Sequence, residues 1–167
     1  GGLAVLGGPS AFGAGGYYGI PMLEAMLPAA AGAGQSDFEE GLEYHVFPAE
    51  HTAARLFPGL ENEERFWAGA PALKGSNMLG PLKPGAKAIF HYKDTVSGAQ
   101  AVFSAEKSHG KGRVMAIAGS STWRWKMAGA GQLTYSGLYA AFWRRTLAYL
   151  DGPFSLDKVT LEPLHRS

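Results

Sequence analysis

Apolar residues along this chain fall into short unbroken runs and one late helical stripe, and together these predict an α/β domain. Leu3–Leu6 is a run of four held between glycines, the pattern of a strand covered on both faces, as in a parallel sheet. Ile20–Leu27 reads as a short helix with Pro21 near its first turn and Pro28 as its stop. Leu42–Phe47 alternates as a strand does. Pro48 to Thr52 then leads into a helical turn over Ala53–Phe57, closed by Pro58-Gly59. Ala86–Tyr92, Ala99–Ala105 and Arg113–Ala118 are further predicted strands. The last two are joined through Ser108-His109-Gly110-Lys111-Gly112, which has the glycine content of a hairpin turn.

From Tyr135 to Leu150 the period lengthens. Leu138, Phe142, Leu147 and Leu150, with Trp143 nearby, mark an amphipathic helix, and Asp151-Gly152-Pro153 ends it. Two stretches lack a period. Residues 29–41 are small and polar and read as a loop. Asn62–Pro84 reads as a long surface excursion packed down by Phe66 and Trp67, a kind of segment that often carries function. Residues 1–152 therefore form one predicted domain. Residues 153–167 are expected to be a tail or linker to a following module, with a short strand at Lys158–Leu161.

Composition narrows the function. A length of 167 residues with 46% apolar content suits a single folded domain with its own core. The 24 glycines exceed the usual share of roughly 7% and cluster at the ends of apolar runs, as turn glycines do. With 15 basic and 14 acidic residues there is no polyelectrolyte face, which argues against nucleic acid as a partner. The absence of cysteine removes disulfides, thiolate metal sites and any sulfur nucleophile. No apolar run reaches the roughly 18–20 residues of a membrane span. The first strand starts at residue 1 without a basic leader, which predicts a chain that begins inside a domain.

Candidate chemistry gathers at predicted strand ends, where open α/β sheets bind ligands. The loop after the first strand, Gly7-Gly8-Pro9-Ser10-Ala11-Phe12-Gly13-Ala14-Gly15-Gly16, offers Ser10 as a hydroxyl nucleophile. It supplies the first Gly and the Ser of a G-x-S-x-G elbow and lacks the second Gly, so the favoured reading of Ser10 is a cap for the following turn. The loop matches neither phosphate-binding glycine motif. His51, flanked by Glu50 and Thr52, is the candidate base, and a His at the start of a helix also serves simply to cap or pack it. His45, His91 and His109 show no metal-ligand spacing, and neither a metal nor a cofactor is expected. Ser120-Ser121-Thr122-Trp123-Arg124-Trp125 is the densest polar and aromatic cluster. There Arg124 could sandwich between indoles or clamp a carboxylate, or it could bond loop carbonyls while the tryptophans wedge the last helix.

The segments GGLAVLGGPSAFGAGGYYGIPMLEAMLP, LKGSNMLGPLKPGAKAI and GKGRVMAIAGSSTWRW, then FWRRTLAYL, resemble a bacterial family described as glutamine amidotransferase-like, over roughly residues 1–152. These are class I amidotransferase-like domains commonly found in larger membrane-associated proteins beside von Willebrand factor A-type modules. The resemblance implies a flavodoxin-like three-layer sandwich with one or two βα units upstream of the first strand seen here. It also implies a catalytic cysteine at a strand-to-helix elbow and a His-Glu pair after a later strand. Here the elbow falls in Gly7-Gly8-Pro9-Ser10 and the later position near Gly119-Ser120-Ser121-Thr122, and neither carries those residues.

Three readings follow. The leading one is a non-catalytic binding or scaffolding domain, partnered by other domains of its polypeptide or by an envelope protein. Its former cleft would be lined by Ser10, Phe12, His51, Ser120, Ser121, Thr122, Trp123 and Arg124. The second is an amide or ester hydrolase with Ser10 or Ser121 as nucleophile and His51 as base. The third is a small-ligand sensor in which Arg124 reads a carboxylate. The full-length protein is expected to be anchored at a membrane, with this domain on the cytoplasmic or periplasmic side.

Overall fold

The computed structural model describes residues 1–13, 15–31, 38–49, 64–129 and 133–151. Among these residues six strands form one sheet: β1 (Gly2–Leu6), β2 (Phe38–Pro48), β3 (Leu73–Asn77), β4 (Lys87–Asp94), β5 (Gln100–His109) and β6 (Gly112–Ile117). Their spatial order is β1-β6-β5-β4-β2-β3. Among the described residues four α-helices accompany them: α1 (Pro21–Met26), α2 (Glu64–Gly69), α3 (Trp123–Gly129) and α4 (Leu138–Asp151). The fold is α/β with a mixed sheet.

The parallel sheet expected from the apolar runs holds for one pair. β1 runs parallel to β6, with Leu3 beside Val114 and Leu6 beside Ile117. Every other neighbouring pair is antiparallel. The connections explain this. β5 turns into β6 through Gly110 and Lys111 alone, with Gly110 at a φ of 56°, and a link that short joins only antiparallel strands.

β2 is longer than the predicted Leu42–Phe47 and takes in part of the expected 29–41 loop. It serves two partners. Phe38 to Tyr44 pair with β3, Tyr44 to Pro48 pair with β4, and the register shifts between Glu39 and Glu43.

Asn62–Pro84 is not the surface excursion its sequence suggests. It contains α2 and β3, and Trp67, Leu73, Ser76 and Asn77 are fully buried. At Gly75 the backbone takes a φ of 71°, and a Cβ there would lie 2.7 Å from the Phe38 ring. Only glycine fits that bend without strain, and the bend breaks the alternation that would have marked a strand.

The sheet is packed on both faces. Along β6, Val114 and Ala116 join one cluster with Val5, Phe12 and Leu27. Met115 and Ile117 join the other, with Trp67, Trp125, Phe142 and Tyr149. α4 buries Leu138, Phe142, Thr146, Tyr149 and Leu150. Leu147 was expected on that buried stripe but is 57% exposed, and Thr146 turns inward instead. Among the described residues, β1 is a sheet edge paired only with β6. None of the described helices is long and apolar enough to cross a membrane.

The predicted turn over 53–57 and strand over 158–161 lie outside the described residues.

Candidate functional site

β1 and β6 end side by side, so the two loops expected to form a site share one edge of the sheet. The Gly7 N–H donates to the Ile117 carbonyl at 2.7 Å as the paired strands finish. The glycine-rich loop then folds back on itself, with the Ala11 N–H on the Gly8 carbonyl at 3.0 Å and the Tyr17 N–H on the Ala11 carbonyl at 2.7 Å.

The space beyond these strand ends is filled. β3 swings its last residue across the edge, and the Asn77 N–H donates to the Ala118 carbonyl at 2.8 Å. The Asn77 side chain bonds Gly8 twice. Its Oδ1 accepts the Gly8 N–H at 2.8 Å, and its Nδ2 donates to the Gly8 carbonyl at 3.2 Å. The amide thus imitates a strand partner for the elbow. A Cβ on Gly7 would overlap the Ala118 carbonyl and sit 2.5 Å from Asn77 Oδ1, so the backbone closes here only because residue 7 is glycine.

Ser10 lies outside this closure. It is exposed, and its hydroxyl bonds no described residue. Phe12 does not line a cleft: it is buried, with Tyr17 edge-on at 5.3 Å and Tyr18 tilted at 6.0 Å between ring centres. An apolar ring in that loop gains more by covering Val5 and Val114 than by facing water.

The second loop is mostly committed to holding β3. Ser121 is buried, and its Oγ accepts the Lys74 N–H at 3.0 Å. The fully buried Tyr44 hydroxyl donates to the Gly75 carbonyl at 3.2 Å. Burial pushes the Tyr44 phenol up to about 12, with the Ser121 and Ser76 hydroxyls pulling partly the other way. Thr122 is buried, and its Oγ1 accepts the Trp143 indole N–H at 3.3 Å. Ser120 is exposed. A hydroxyl already accepting a backbone N–H, against an un-ionised phenol, has no base among the described residues to make it a nucleophile.

No indole sandwich forms around Arg124. Successive helix positions point about 100° apart, so the three neighbours diverge. Trp125 turns inward, donates to the Pro71 carbonyl at 3.0 Å and meets Phe142 edge-on at 5.4 Å. Trp123 stays 53% exposed. Arg124 donates through Nε to the Ala72 carbonyl at 3.1 Å. With Glu43, Pro71, Ala72, Trp123 and Met127 it lines an open groove of about 380 Å³.

His51 lies outside the described residues. His45 Nδ1 is 3.0 Å from the Ala70 carbonyl. Among the described residues no three His, Asp or Glu side chains gather as a metal centre would require. Asn77, which closes the elbow, carries no mark in the sequence pattern. A lone Asn between a serine and a methionine carries no signal of an amide bonded to a loop 69 residues earlier.

No protein-family model matches the chain, and no curated protein matches it. Solved structures do. Cytoplasmic protein STM1381 of Salmonella typhimurium LT2 aligns with a TM-score of 0.60 at 21% identity, over 90% of this chain and 55% of that one. Cytoplasmic protein STM3548 of Salmonella typhimurium aligns with a TM-score of 0.61 at 18% identity, over the same shares. The chain spans about half the length of these structures, and the likeness establishes a shared fold.

Proposed function

We propose that this domain is a non-catalytic, glutamine amidotransferase-like binding or scaffolding module of a larger bacterial protein. In this reading it is a flavodoxin-like sandwich whose ancestral elbow is closed, and its partners are neighbouring domains or an envelope protein. Anchoring of the whole protein at a membrane belongs to the same proposal.

One observation carries it. The elbow after β1, where a nucleophile would meet its substrate, is occupied by the Asn77 amide bonded twice to Gly8. Acyl transfer needs a nucleophile, a base within hydrogen-bond reach and a free volume for the reacting carbonyl. The chain has no cysteine, and Ser121 is tied to Lys74 beneath β3.

The test is ammonia release from L-glutamine and hydrolysis of p-nitrophenyl esters by the purified protein, beside Ser10→Ala, Ser121→Ala and His51→Ala. The expected rate equals that of buffer for all four. Turnover by the parent chain that disappears in any one of the variants would refute the proposal and install the hydrolase reading.

The groove beside Arg124 favours a second reading, in which the module senses a small carboxylate. Its volume of about 380 Å³ falls within the range of ligand sites, roughly 300–1,000 Å³. The guanidinium on its wall supplies the matching charge.

A further inference from the structure

We infer that the groove between α3 and the start of β3 takes a small zwitterion carrying an apolar side chain, of the kind an aromatic or branched α-amino acid presents. This rests on the carboxylate-sensing reading and adds the rest of the ligand to it.

The wall comes from one face of α3. Trp123 and Met127 are one helical turn apart, and they are 53% and 68% exposed. These two large apolar side chains stand open over the concavity that they line. They favour a hydrocarbon or ring as the ligand's body.

The charges define its ends. Arg124, the next position along α3 after Trp123, also lines the groove, and its Nε–H is held by the Ala72 carbonyl at 3.1 Å. That bond fixes the guanidinium plane. Among the described residues nothing bonds its Nη1 or Nη2, the end of the fork that grips a carboxylate in two parallel bonds. Glu43, an exposed residue of β2, lines the groove as well, yet it forms no ion pair with Arg124. Lys74 stands opposite Glu43 across the β2–β3 ladder, and opposite charges on one groove that are not paired with each other suit a ligand that is itself an ammonium and a carboxylate. An uncharged ligand would leave both unanswered, and a simple carboxylate would meet repulsion from Glu43.

The experiment uses L-phenylalanine as the probe, followed by calorimetry and by tryptophan fluorescence, with Trp123→Phe to assign the optical signal. Two analogues accompany it: 3-phenylpropionate, which lacks the ammonium, and 2-phenylethylamine, which lacks the carboxylate. L-phenylalanine should bind saturably. Each analogue, and each of Glu43→Gln and Arg124→Gln, should weaken binding about tenfold or more, the loss expected when one charge-assisted contact goes. Glu43 is exposed, so its variant keeps the fold, and the analogues test the same claim on the unaltered chain.

If 3-phenylpropionate binds as tightly as L-phenylalanine and Glu43→Gln changes nothing, the zwitterion inference fails while the carboxylate reading stands. If none of the three compounds binds, both fail. Binding that survives unchanged in both variants places the site elsewhere and overturns the inference.

Discussion

Replacing Asn77 by alanine tests whether the closure after β1 contributes to the fold. The side chain is fully buried and makes two hydrogen bonds to Gly8, at 2.8 and 3.2 Å. Each is worth about 1 kcal/mol net, and leaving a buried donor or acceptor unpaired costs a further 1–3 kcal/mol. Gly8 is only half-buried, so water entering the vacated space recovers part of that penalty. The expected loss is about 2–3 kcal/mol. In a domain of this size that corresponds to a fall in Tm of roughly 4–12 °C.

Urea titration measures it, and the slope should stay constant while the midpoint shifts. Asn77→Asp sharpens the test. Its carboxylate keeps the acceptor for the Gly8 N–H but turns a second acceptor towards the Gly8 carbonyl, and it buries a charge. Burial raises that carboxyl above its unfolded value, so the variant's neutral form is the one the fold tolerates. Asn77→Asp should therefore be worse than Asn77→Ala at pH 7, and should recover relative to it as pH falls through the raised value. A loss under about 0.5 kcal/mol for Asn77→Ala, the range of ordinary surface changes, would refute the reasoning.

Four further variants have expected outcomes. Gly7→Ala should destabilise by at least about 1–3 kcal/mol in the same titration, because its Cβ meets the backbone of Ala118, which cannot step aside. Tyr44→Phe should flatten the alkaline limb of stability. A phenol raised from 10 to about 12 contributes fully below pH 10, and about 2–3 kcal/mol is lost as pH climbs to 12, read by denaturation in steps across that window. Phe142→Ala should cost about 3–5 kcal/mol, because its ring is buried among Phe90, Trp125 and Trp143. Leu147→Ala, on the exposed side of the same helix, should stay within about 0.5 kcal/mol, as thermal melts of the pair would show.

Where burial and periodicity agree, the chain was legible. β1, β4, β5, β6 and α4 announce themselves because their apolar residues are the ones that face the two cores. β3 does not. Its buried residues after Leu73 are Gly75, Ser76 and Asn77, whose value lies in small size and hydrogen bonding. Hydropathy measures neither. The shift from a parallel to a mixed sheet has a similar origin, since β2 divides its length between two partners and no local pattern records such a division. Of the candidate site, the meeting of the Ser10 and Ser121 loops at one edge was foreseeable, because two apolar strands each ended in such a loop. What fills that edge was not, since the filler comes from a distant segment.

That distance has a kinetic consequence. Gly8 and Asn77 are 69 residues apart, and Lys74 and Ser121 are 47 apart, so both ties wait on loops that close slowly. The β4–β5–β6 meander, joined by short turns, is the natural nucleus, and the seal over β1 should form after the folding barrier is crossed. In a chevron, Asn77→Ala would then raise the unfolding limb without changing its slope, while leaving the refolding limb nearly where it was. The closed edge acts as a latch: it governs how long the domain stays folded more than how quickly it gets there.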